Sequence, residues 1–206
     1  MKILYLMDPL CGWCYGNHDN MDRLYHDFND KIIFDIIPAG MWVGDNKRIQ
    51  SEQMANFFVK HDTKIAEYTN TEFGQAYFNF VKNNHNIVLD SEIPSKAIIT
   101  IKNIDANKTM AFTSEIQKAR YLYGLDLNNN ATYTIICELL NIDVNTFLHH
   151  FESKTIEELT LKSFKEAAKY ASSYPTLLLQ TDNQLIELEQ GYETYDNLKS
   201  KIALYL

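Results

Sequence analysis

No disulfide scaffold holds this chain together. It has three cysteines, Cys11, Cys14 and Cys137, in 206 residues, whereas folds built on disulfides carry a dense and even set. Positive charge is also scarce: 19 Lys and Arg stand against 27 Asp and Glu, for a net charge of −8. Lys47-Arg48 is the only adjacent basic pair. A phosphate-binding surface needs clustered cations, so the composition argues against nucleic acid as a partner. No stretch approaches the roughly 18 apolar residues of a membrane span. Asp8-Pro9 interrupts the opening MKILYLM before it reaches the 7–15 apolar residues, roughly, of a secretory signal. The expectation is a cytoplasmic protein with no membrane partner. Internal repeats and low-complexity tracts are absent. What is present is ordinary for a globular protein, 46% hydrophobic and 22% charged residues, in a chain long enough to bury a substantial core.

The apolar pattern divides the chain into three parts. Lys2 to Met7 is too short for a helix and reads as a buried strand. Tyr15, Met21, Leu24, Tyr25 and Phe28 then recur at helical spacing, so a helix runs from the cysteine pair to Asn29-Asp30. Lys31 to Ala39 is β-branched and reads as a second strand. From about residue 46 the pattern is helical for over a hundred residues, with helices expected at 50–68, 71–83 (Thr71 as N-cap), 94–106, 109–123, 130–140, 143–152 and 155–171. Strands return at 176–180 and 185–188, and a last helix at 192–206. Strand and helix blocks in this order fit a domain inserted into another better than a repeating βαβ sheet.

Cys11-Gly12-Trp13-Cys14 carries the chemistry. At the start of a helix that follows a strand, Cys11 faces free backbone N–H groups, which together with the helix dipole favour its thiolate. Cys14 lies a turn further in and is expected to be more buried. Cys11 is therefore the attacking sulfur and Cys14 the resolving one. Gly12 lets the turn pack closely, and Trp13 places no cation between the sulfurs, which points to a pair less strongly oxidising than one with His in that position and leaves the direction of electron flow open. A zinc site of Cys11, Cys14 and His18 is the alternative. Structural zinc asks for four ligands, and no second Cys/His pair exists, so no metal is expected and His18 reads as a surface residue. Pro175, after Tyr174, marks the start of a strand on spacing alone.

Asp-Pro-Leu-Cys-Gly-Trp-Cys-Tyr-Gly at 8–16, the helical block, and Tyr-Pro-Thr at 174–176 together resemble the DsbA-like branch of the thioredoxin superfamily, and within it the cytoplasmic FrnE-like relatives. The resemblance implies an α/β thioredoxin-like fold (β-α-β … β-β-α) with a large inserted all-helical domain: residues 1–45 and 155–206 form the split thioredoxin-like domain and 46–154 the insertion. It implies a thiol–disulfide oxidoreductase or isomerase, with Cys11 as nucleophile, Cys14 as resolving thiol, and a cis Pro175. Trp13, Tyr174, Pro175 and Thr176 would bind substrate, Tyr174 through its backbone. The partners would be protein or peptide thiols and disulfides. No cofactor is implied beyond the Cys11–Cys14 disulfide, with glutathione as a possible substrate. Where that branch often has Gly-Val or a similar small-residue lead into the proline, this chain has Ala171-Ser172-Ser173-Tyr174, which departs from the pattern.

Two other functions fit a similar fold. Kappa-class glutathione transferases and hydroxychromene-carboxylate isomerases share the helical insertion but activate glutathione with one Ser or Cys, and an intact CxxC argues against them. A peptide-binding module using the helical block would not need the cysteines. Of the remaining residues, Cys137 in TIICELL is expected to be a buried, inert thiol, and His149-His150 solvated. Met41-Trp42 is expected in the core where the domains meet. Asp8 is a candidate proton relay or a turn cap.

Overall fold

The computed structural model describes all 206 residues. Its central sheet has four strands: β1 (Lys2–Met7), β2 (Ile33–Pro38), β5 (Thr176–Gln180) and β6 (Leu185–Gln190), in the order β2-β1-β5-β6. β1 runs parallel to β2 and antiparallel to β5, and β6 pairs antiparallel with β5. β1 sits inside the sheet with layers on both faces, which is why its sequence is apolar throughout rather than alternating. Ile3, Tyr5 and Met7 point to one core, whereas Leu4 and Leu6 point to another beneath helix α9 (Lys154–Tyr170).

The expected first helix is in fact two. α1 (Gly12–Gly16) carries the cysteine motif, and α2 (His18–Phe28) follows it. Asn17 joins them as the C-cap of one and the N-cap of the other. Between β2 and α9 lie α3 (Glu52–Thr69), α4 (Gln75–Asn83), α5 (Glu92–Ile104), α6 (Thr109–Tyr121), α7 (Asn130–Leu139) and α8 (Val144–Phe151). α10 (Tyr195–Ala203) ends the fold. A two-strand ribbon, β3 (Arg48–Ile49) with β4 (Val88–Leu89), went unforeseen because two residues show no periodicity. No helix is long and apolar enough to cross a membrane.

Thr71 is not the N-cap of α4. Its hydroxyl donates to the Gly16 carbonyl at 3.0 Å, and the helix opens after Gly74. Gly74 is required there because a Cβ would lie 1.9 Å from the Leu122 carbonyl oxygen. The main core runs without a break from Ile3, Tyr5 and Leu179 of the sheet to Ile98, Phe112 and Phe147 of the helical segment. The helical segment therefore shares the core of the sheet. Buried Cys137 belongs to the same core, and burial pushes its thiol up to about 12, which leaves it inert as expected.

Candidate active site

β1 delivers the chain to Asp8-Pro9 at the carboxyl end of the sheet, where it turns into α1. Cys11 is the N-cap of α1, with extended backbone, so its side chain faces the unpaired N–H groups of the first turn. The Cys14 backbone N–H donates to Cys11 Sγ at 3.4 Å. From across the cleft, the Tyr174 carbonyl approaches Cys11 Sγ to 3.5 Å. The Tyr174–Pro175 bond is cis. Both cysteines are free thiols.

Cys14 lies behind Cys11 and is fully buried. Burial raises its pKa well above the usual thiol range, and its hydrogen bond with Cys11 and the charge of Cys11 act in the same direction. The Asp8 backbone N–H points at Cys14 Sγ from 3.5 Å. The Asp8 carboxyl, also fully buried, is raised by desolvation. It accepts from Leu10 N–H (2.9 Å), Met41 N–H (2.6 Å) and Ser91 Oγ (2.9 Å). Asp8 thus ties the cysteine turn to the loop after β2 and to the start of α5.

Two other expectations need correction, those for His18 and for Met41-Trp42. His18 is buried rather than on the surface: its ring stacks on Tyr15 at 4.6 Å and its Nδ1 meets the Tyr15 carbonyl at 2.7 Å. Stacking on Tyr15 makes the start of α2 an inner position. Met41 and Trp42 are half-buried and line a cavity beside Cys11, although Met41 also packs against the main core; Asp8 and Ser91 hold their backbone N–H groups at the cleft. Thr176 does not line that cavity: its hydroxyl donates to Ser173 at 2.9 Å within the turn. Trp13 and Tyr174 do line it. His149 is exposed, as expected.

The cavity, about 260 Å³, lies between the cysteine turn and the helical segment. Besides Trp13, Met41, Trp42 and Tyr174 it presents Phe57, Phe58, His61, Asp62, Tyr77, Arg120 and Tyr121. Sequence reading missed Asp62 and Arg120, although a signal was there. Asp62 falls four residues after Phe58, and Arg120 four after Ile116, so both charges sit on apolar stripes of their helices. Glu189 was missed as well. It is buried below α1, accepts from Asn17 Nδ2 and Glu193 N–H at 3.0 Å each, and burial pushes its pKa to about 8.

Together these features define a thioredoxin fold of the DsbA type with a helical insertion. No family model and no curated protein matches the sequence. Among solved structures, the chain is similar to a Nitrosomonas europaea protein provisionally named a protein disulfide isomerase: TM-score 0.87, 20% identity, 99% of this chain and 96% of the other. It is also similar to the cytosolic disulfide reductase DsbM from Pseudomonas aeruginosa, at TM-score 0.84 and 23% identity over 100% and 98%, which has also been solved with glutathione. A 2-hydroxychromene-2-carboxylate isomerase matches at TM-score 0.66 and 12% identity over 100% and 94%. At these identities the likeness establishes the fold.

Proposed function

We propose that this protein is a thiol–disulfide oxidoreductase that works through Cys11 and Cys14. The observation that carries the reading is the setting of Cys11 Sγ, which receives the Cys14 N–H at the helix start and faces the Tyr174 carbonyl. The Cys11 thiolate attacks one sulfur of a substrate disulfide. A Cys11–substrate S–S bond forms as the substrate bond breaks, and the first thiol leaves with a proton. Cys14 then gives up its proton and attacks Cys11 Sγ, which releases the second thiol. Two electrons and two protons pass from the protein to the substrate, and a thiol reductant restores the dithiol. Asp8 is the proton acceptor we assign to Cys14, since both are fully buried and the Asp8 carboxylate acts on the Cys14 thiol through space. An extended substrate would lie along Tyr174 and Pro175, with Trp13 at its side.

We place the protein in the cytoplasm and assign it the reducing direction. The uncharged Trp13 between the cysteines, and the similarity to a cytosolic reductase, support that direction. The test is equilibration of the pair with glutathione buffers, followed by thiol trapping. The expected potential lies nearer thioredoxin, about −270 mV, than DsbA, about −120 mV. Failure to form a Cys11–Cys14 disulfide at any poise overturns the proposal. The similarity to a hydroxychromene-carboxylate isomerase favours a second reading, a glutathione-dependent isomerase or transferase that needs Cys11 alone.

A further inference from the structure

Burial disfavours the Arg120 charge while Tyr121, Tyr77 and Asp62 act the other way, and no carboxylate forms a salt bridge with it. It is 4% exposed, and its Nε is buried with no hydrogen-bond partner. Guanidinium groups are rarely buried without a carboxylate or phosphate, because desolvating the charge is costly unless a counter-charge replaces the water. Here the Tyr77 and Tyr121 rings lie 5.7 and 5.5 Å from Arg120 Cζ, within cation–π range. Asp62 acts on it through space, but both Asp62 oxygens are engaged elsewhere. One takes the Tyr77 hydroxyl at 2.5 Å and the other meets His61 Nδ1 at 3.1 Å. Arg120 is also among the residues that line the cavity beside Cys11.

We propose that Arg120 is a specificity-determining residue that binds a carboxylate of a small disulfide, one sulfur of which reaches Cys11. The assignment rests on the redox reading above and names the substrate class for that site. A planar guanidinium fork matches a carboxylate. The aromatic walls suit the short carbon chain between acid and sulfur. A cavity of about 260 Å³ takes a small organic acid.

The test uses two disulfides of the same skeleton, 3,3′-dithiodipropionate and its uncharged dimethyl ester. Pre-reduced protein, freed of reductant, is mixed with each, and loss of the Cys11 and Cys14 thiols is followed by acid quench and trapping. Dithiothreitol alone gives the intrinsic ratio of the two rates. The wild-type protein should favour the diacid over the ester by about tenfold to a hundredfold relative to that ratio, the usual size of a lost charge-assisted bond. R120M should return to the dithiothreitol ratio, and R120K should lie between. If R120M does not fold, the wild-type comparison and R120K still decide. A wild-type ratio equal to that of dithiothreitol, or an R120M that keeps the preference, overturns the assignment and leaves the redox reading standing. No reaction with either disulfide overturns both.

Discussion

The two halves of the molecule meet Cys11 in different ways. The sheet half presents backbone groups to the sulfurs: the Cys14 N–H, the Tyr174 carbonyl and the Asp8 N–H. The helical half presents side chains, with Phe58, Asp62, Tyr77, Arg120 and Tyr121 forming the far wall of the cavity. Backbone contacts depend on how strand, turn and helix are joined, and they survive wide changes in sequence. Side-chain contacts change with single substitutions. On the function proposed above, the sheet half would set the exchange chemistry and the helical half would select what undergoes it.

The largest expected effects come from the sheet half. C11S should lower disulfide exchange by on the order of 10³-fold or more, as loss of a nucleophile does, measured as reduction of a low-molecular-weight disulfide. C14S should stop at the mixed disulfide, visible by intact mass as a substrate adduct on Cys11 that only added thiol removes. Undiminished turnover by C14S would instead favour the transferase or isomerase reading and would break the comparison, since the sheet half would then supply one sulfur rather than two.

A smaller effect is expected where the halves touch. A Cβ on Gly12 would lie 2.6 Å from Asp62 Oδ1 and 3.1 Å from Ile65 Cδ1. Gly12→Ala must therefore displace the Asp62 carboxylate and crowd the Ile65 side chain, which disturbs the bond between Asp62 and Tyr77. Overpacking of this kind costs about 1–3 kcal/mol, read from urea unfolding midpoints. If G12A is as stable as the wild type, the contact between the halves is looser than the geometry implies.

Sequence reading reached the elements governed by periodicity and the residues governed by spacing. Lys2–Met7 and Thr176–Gln180 are observed at their expected bounds because short apolar runs beside proline have few other solutions. What it missed depends on tertiary position. Met41 and Trp42 are large and apolar, which suggests core, yet hydrogen bonds from their backbone N–H groups to Asp8 and Ser91 hold them at a cleft. Asp62 and Arg120 broke the helical stripes, but such a break has meaning only once α3 and α6 are known to face one cavity. Glu189 was hidden by a β-bulge. Leu177 pairs with Glu189 and Leu178 with Glu187, so Leu188 is the extra residue. The bulge lets Leu188 and Glu189 both be buried, against the alternation that strand sequences are read by.

Glu189 also provides the mildest test of the division between halves, because it is buried in the sheet half but touches neither sulfur. Burial raises its pKa to about 8 from an ordinary carboxylate value of 4.5. The folded protein thus holds this proton more tightly than the unfolded chain does. The resulting stabilisation is complete below the unfolded pKa and is lost as pH rises through the folded value. Glu189→Gln removes the titration while keeping an acceptor for Asn17 or Glu193. The stability of the wild type relative to E189Q should therefore fall between about pH 5 and pH 8, by at most about 1.4 kcal/mol per pH unit. Urea midpoints of both proteins at pH 5, 6.5 and 8 measure it. A difference that stays flat would mean that water reaches Glu189. Exchange at Cys11 should change little in E189Q, because Glu189 supports the junction of α1 and α2 through Asn17 rather than the sulfurs. A large loss of exchange would extend the chemical machinery of the sheet half down to β6.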